Sequence, residues 1–151
     1  MENTKKIEEM LLPSIFDVFE KMFFVFAEPL REMEQSHQLR AAIHFEGPFR
    51  GDMQILLSSD LARTMAKNML SLDDAEVNDS MMTDCVKEAI NMICGSFLRK
   101  VDPVHGSQMS IPTCDRLPGH TDEGTGGDDK GVRLAFATEC GSFEVRVDTG
   151  E

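Results

Sequence analysis

The chain has 151 residues, a length that suits one domain with a substantial core. Hydrophobic residues make up 41% of it, which excludes a chain disordered by composition even though 28% of the residues are charged. The net charge of −12 repels phosphate backbones and anionic lipid, so neither nucleic acid nor a membrane is expected as the main ligand; a basic partner, or a pocket offering lysine or a metal ion, suits it better.

From about Lys5 to Leu30 the pattern is helical, with Pro13 marking a break or a second start and Pro29 the end. Ile15, Phe19, Met22 and Phe26 fall on one face, and Phe23, Phe24 and Val25 widen it. A helix so apolar is covered on more than one side, by its own sheet or by a partner chain. Two strands follow, "LRAAIHFEG" and "RGDMQILLS", joined by the turn signal "EGPFRG". Leu39, Ala41, Ile43 and Phe45 share one side of the first strand, and Met53, Ile55 and Leu57 one side of the second. Ser59 is expected to cap a short helix reaching about Leu70, with Leu61, Met65, Ala66 and Met69 inward. After the acidic connector "SLDDAEVND", Asp79 or Ser80 is expected to cap a second long helix. "GSQMSIPTC" reads as a strand, "DRLPGHTDEGTGGDDKG" as a surface loop, and "VRLAFATE" with "SFEVRVD" as a hairpin turning at "ECGS". The predicted class is α+β, a mostly antiparallel sheet carrying two long helices and one short one, in a single domain over residues 1–151.

No apolar run approaches the ~20 residues needed to span a bilayer, and "MENTKKIEEMLLPS" lacks the continuous apolar segment of a secretion signal. The protein is therefore expected in the cytoplasm. Cys85, Cys94, Cys114 and Cys140 form no C-x-x-C pair and no grouping with histidine at metal-ligand spacing, so they read as small buried hydrophobes, and no metal site is expected. The four histidines stand without a catalytic companion and read as structural. The glycine-rich loop lacks the G-K-[ST] ending of a phosphate-binding loop.

The second long helix carries the candidate site. With Asp84 set at zero, a period of 3.6 puts Glu88 near 40°, Asn91 near −20° and Gly95 near 20°, while Val86, Ile90, Ile93 and Phe97 gather around ~200°. One face is thus aliphatic, and the other bears two acids, an amide and a bare glycine. A glycine inside a helix costs about 1 kcal/mol relative to alanine, so close approach of another backbone or ligand is expected beside Asn91. Asp84 and Glu88, one turn apart, repel each other mildly until a cation arrives. On spacing alone, a solvated helix back accounts for the same stripe.

The segment D-C-V-K-E-A-I-N-M-I-C-G, Asp84 to Gly95, with Pro112 about twenty residues on, resembles the signature of the CheC/CheX/FliY phosphatase family: Asp or Ser, three residues, Glu, two residues, Asn, then a downstream Pro. The order of helices and strands over nearly the whole chain is similar too. The resemblance implies an enzyme that hydrolyses the aspartyl phosphate of a CheY-type response regulator. Glu88 would pair with the regulator's lysine and Asn91 would hold a water in line with phosphorus; Asp84, Gly95 and Pro112 would support docking. The regulator would bring its own Mg²⁺, leaving this chain with no cofactor of its own.

An amide suits that task, because it both donates and accepts without adding charge. A weak internal repeat sets Val18–Phe24 over Val86–Met92, 68 residues apart, so that Glu20 matches Glu88 while Phe23 and Phe16 stand where Asn91 and Asp84 stand. The first helix should therefore be catalytically silent and its aromatics free to pack or dimerise. That points to the CheX branch, which implies a homodimer. A non-catalytic adaptor, binding a regulator or a flagellar switch component, is the alternative the residues leave open.

Overall fold

The computed structural model describes residues 2–31, 37–117 and 131–149. A long helix α1 (Glu2–Phe23) leads into a short strand β1 (Glu28–Leu30). A hairpin, β2 (Leu39–Glu46) and β3 (Arg50–Leu57), precedes α2 (Ser59–Leu70), a 3₁₀ turn (Asp74–Glu76) and the long α3 (Asp79–Val101). Strands β4 (Gln108–Met109), β5 (Thr113–Arg116), β6 (Gly131–Thr138) and β7 (Gly141–Thr149) complete the chain. The strands form one antiparallel sheet in the order β1-β6-β7-β3-β2, with β4 and β5 both pairing β2 at the far edge. This is the predicted α+β class.

Strict alternation builds the inner face of the sheet. Leu39, Ala41, Ile43 and Phe45 are buried opposite Leu57, Ile55, Met53 and Gly51, and Phe143, Val145 and Val147 continue the rows onto β7. Two aromatic clusters then seat the helices on this face. Phe19 of α1 stacks on Phe143 at 4.2 Å between ring centres, and Phe143 stacks on Phe136 at 4.9 Å. Phe97 of α3 meets the edges of Phe45 and Phe49 at 6.2 and 6.5 Å. The helices touch each other through Ser14, which is fully buried: its Oγ donates to the Met10 carbonyl and accepts from Ser96 Oγ (2.9 Å) and Lys100 Nζ (3.2 Å).

Several boundaries differ from the sequence expectation. The helix runs through Pro13 without a break, because Leu11, Ser14 and Ile15 are fully buried around an exposed proline and packing offsets the one lost hydrogen bond. It ends at Phe23, six residues before Pro29. Phe24 takes a left-handed φ of 55°, Val25 N donates back to the Phe19 carbonyl, and Asn68 Nδ2 donates to the Phe23 carbonyl at 2.8 Å. Phe26 is consequently outside the helix and 71% exposed, and Pro29 sits in the edge strand β1. Ser58, not Ser59, caps α2, and Asn78, ahead of Asp79 and Ser80, caps α3.

The expected strand "GSQMSIPTC" is two strands with a bulge between them. Ala42 pairs with Thr113 and Phe45 with Met109, so two residues of β2 face three of the opposing segment, Ser110, Ile111 and Pro112. Proline has no N–H to give the ladder, and a bulge is one of the few places a sheet admits it. Of the glycine-rich loop, residues 118–130 and with them His120 lie outside the described residues.

The stacked Phe19–Phe143–Phe136 column makes a direct prediction. Phe143→Ala should cost about 3–5 kcal/mol of unfolding free energy, read as a lower urea midpoint. A loss under about 1 kcal/mol would mean that the column does not seat α1.

Candidate functional site

The orientation of α3 is set by what it hides. Met82, Cys85, Val86, Ala89, Ile90, Ile93, Cys94, Phe97 and Leu98 are buried. The helix is tied at its start, where Asn78 Oδ1 accepts from Met81 N at 2.8 Å and Arg116 of β5 bridges Asp79 at 2.9 Å. With the aliphatic face held down, the opposite line is forced outward. Asp84 is exposed, and Glu88, Asn91 and Gly95 are half-buried.

They are half-buried because the stripe has a wall on each side. One wall is the C-terminal end of α2. A groove of about 270 Å³ there is lined by Met69, Leu70, Met81, Asp84, Cys85 and Glu88. Burial first, then the charges of Asp84 and Glu88, push the Cys85 thiol upward, as expected for two carboxylates leaning over the same groove. The other wall is the edge strand. Met109 Cε of β4 lies 3.8 Å from the point a Gly95 Cβ would occupy, and β5 packs beside α3, where burial first and then the charge of Asp115 push up the half-buried Cys114 thiol. Pro112 lies between these two strands, in the bulge that separates Met109 from Thr113. Asp84, Glu88, Asn91 and Gly95 share the outward face of α3, and Pro112 belongs to the neighbouring edge of the sheet.

Gly95 departs from expectation. No backbone of the described chain comes near it; an added Cβ would meet only Arg99 Nη1 at 3.5 Å and Met109 Cε at 3.8 Å, both ordinary contacts. Whatever requires the glycine is not packing within the described residues. Met69, predicted inward, is 37% exposed at the rim of the groove, beside Leu70 at 43%. Periodicity could not reveal this, since the last turn of a short helix can point past the end of the sheet.

The helix related by the weak repeat presents nothing comparable. Glu20 is exposed, but Phe23 is fully buried and Phe16 packs edge-on against Phe136 at 5.7 Å. Of the histidines, His105 leans on Asp102 (3.1 Å), and His44 lies between Asp52 (3.0 Å) and Glu46 (3.3 Å), which raise its pKa. His37 is buried. All four cysteines are free, and burial pushes the Cys94 thiol up to about 12. Among the described residues no group of three His, Cys, Asp or Glu side chains is placed to hold a metal ion. No helix there is long and apolar enough to cross a membrane.

The same fold recurs in solved chemotaxis proteins and in FliY. The chemotaxis protein CheX of Vibrio vulnificus superposes with a TM-score of 0.79 at 21% identity, covering 95% of this chain and 96% of that one. The CheX of a CheX–CheY–BeF3–Mg²⁺ complex from Borrelia burgdorferi gives 0.66 at 16% identity, over 95% and 97%. FliY of Thermotoga maritima gives 0.64 at 17%, over 99% and 90%. No curated protein sequence matches the chain. Residues 39–130 match the family model of the chemotaxis phosphatase CheX, and the chain belongs to that family.

Because a methyl at Gly95 would meet only ordinary contacts, Gly95→Ala should raise unfolding free energy by about 0.5–1 kcal/mol through helix propensity. Chemical denaturation measures it. A destabilised variant would reveal a constraint on the backbone at this position.

Proposed function

We propose that this protein hydrolyses the aspartyl phosphate of a CheY-type response regulator, with Glu88 and Asn91 as its catalytic pair. The observation that carries the reading is the outward line Asp84–Glu88–Asn91 on a helix whose opposite face is wholly committed to the core, in a chain of the CheX family. The Borrelia CheX, which shares the fold, forms a complex with CheY, and a partner of that kind is taken over here as part of the proposal.

Hydrolysis of an acyl phosphate needs a water placed in line with phosphorus and charge balanced around the moving phosphoryl group. The Asn91 side chain accepts a proton-bearing contact from that water and donates to it, fixing its direction. The water oxygen bonds to phosphorus, the bond from phosphorus to the regulator's carboxylate oxygen breaks, and the carboxylate leaves with the electron pair. The water's proton passes to the phosphate oxygens or to solvent. Glu88 meets the regulator's lysine and so anchors α3 over the phosphoryl site. Asp84, one turn earlier, adds negative charge on the same side. Mg²⁺ belongs to the regulator in this scheme and balances phosphoryl charge there. Orientation of this kind contributes large factors to rate without any covalent step on the enzyme.

The test is phosphate release from a phosphorylated CheY-type regulator at saturating enzyme. Glu88→Ala and Asn91→Ala should each lower the acceleration on the order of 10²-fold, with unfolding free energy moved by no more than about 0.5 kcal/mol since both side chains face outward. A wild type no faster than these variants would leave binding without chemistry, and the enzymatic reading would be wrong.

A further inference from the structure

The stripe does not stop at Gly95. Arg99 follows it by one turn and stands near 60° on the same helical count, still on the outward face. Its guanidinium is folded back along the helix, since Nη1 lies 3.5 Å from the position of a Gly95 Cβ. That sets the cation level with Gly95, about 6 Å along the axis from Asn91. The nearest acid in sequence reach, Asp102, is already occupied. It accepts from the backbone N–H of Val104 (3.1 Å) and His105 (3.0 Å) and from the His105 ring. Its carboxyl is held below the usual range first by the His105 backbone bond. No acid among the described residues pairs with Arg99, although the chain carries 27 acids against 15 lysines and arginines. The neighbouring Lys100, by contrast, is committed to Ser14 and Ser96. The residues beyond Arg99 add a second recess of about 270 Å³, lined by Gly95, Arg99, Val104 and Met109 among others.

Along one line the helix thus presents two carboxylates, an amide, a bare backbone and a guanidinium that no acid among the described residues pairs. Lys87, near −60° on the same count, flanks this line beside Glu88, and Arg99 is the cation on it beyond Asn91. We infer that Arg99 is a further recognition residue, binding an oxyanion of the response regulator on the side of Asn91 opposite to Glu88. The inference rests on the proposed partner. The planar fork of arginine suits two oxygens of one group, which a lysine in its place would hold only as a point charge. The oxygens belong either to the phosphoryl group or to the carboxylates around it.

Binding and turnover separate these sources. Wild type, Arg99→Ala and Arg99→Lys would be titrated with a CheY-type regulator loaded with Mg²⁺ and beryllofluoride, and with the same regulator without beryllofluoride. Arg99→Ala should weaken capture of the loaded form about tenfold or more at low salt. The deficit should shrink as ionic strength rises, and Arg99→Lys should recover part of it. In turnover, kcat/KM should fall more than kcat. A loss confined to the loaded form assigns the phosphoryl oxygens; an equal loss in both assigns the carboxylates. Arg99→Ala indistinguishable from wild type in binding overturns the inference, as does a defect that merely follows a lowered Tm, which would leave Arg99 a counter-charge at the helix end. If wild type binds through Arg99 but releases no phosphate faster than its Asn91→Ala variant, the enzymatic reading falls and this one stands.

Discussion

Everything outward on α3 depends on what is inward. Nine buried residues fix the rotation of the helix, and the contacts of Phe97 with Phe45 and Phe49 seat its C-terminal half on the sheet. A helix free to roll by one residue would shift its surface pattern by about 100°, carrying Asn91 toward a wall of the groove. The capping bond from Asn78 and the bridge from Arg116 to Asp79 hold the other end. The site therefore needs no residue to stiffen it from outside: its precision is that of the hydrophobic core beneath.

The core also explains why one long helix serves the surface and the other does not. Both lie on the same face of the sheet, yet α1 spends Phe19 and Phe23 inward and keeps Phe16 against Phe136, so aromatic bulk occupies the phases where α3 is polar. The two are joined where side chains are smallest, at Ser14 and Ser96, and Lys100 closes that contact from solvent. A change in one helix is thus felt by the other through a hydrogen-bonded seam and not through bulk alone.

The alternation of β2, β3, β6 and β7 and the buried face of α3 were legible because each is a local period matched to one flat core. The stripe Asp84, Glu88, Asn91 and Gly95 was legible for the same reason, as the complement of that face. What escaped was non-local. Nothing near Phe24 signals a left-handed end, since the bond from Asn68, 45 residues away in sequence, is part of what holds that corner. The choice between Ser58 and Ser59 as cap turns on a backbone angle that composition does not carry. The walls of the site, Met69 and Leu70 on one side and Met109 and Cys114 on the other, come from elements far apart in sequence. Arg99 was within reach of the same helical count and was missed only because the signature ended before it.

The bulge at Ser110–Pro112 has a consequence for assembly. An open antiparallel sheet offers its outermost strands as templates on which further strands can accrete. Here the described sheet ends on β1, three residues long with Pro29 at its centre, and on β4 and β5, interrupted at Pro112. Each border lacks a donor where an incoming strand would need one, and at the second border the extra residue throws the register of any longer ladder out of step. Both borders of the described sheet are thus blunted against accretion of a further strand.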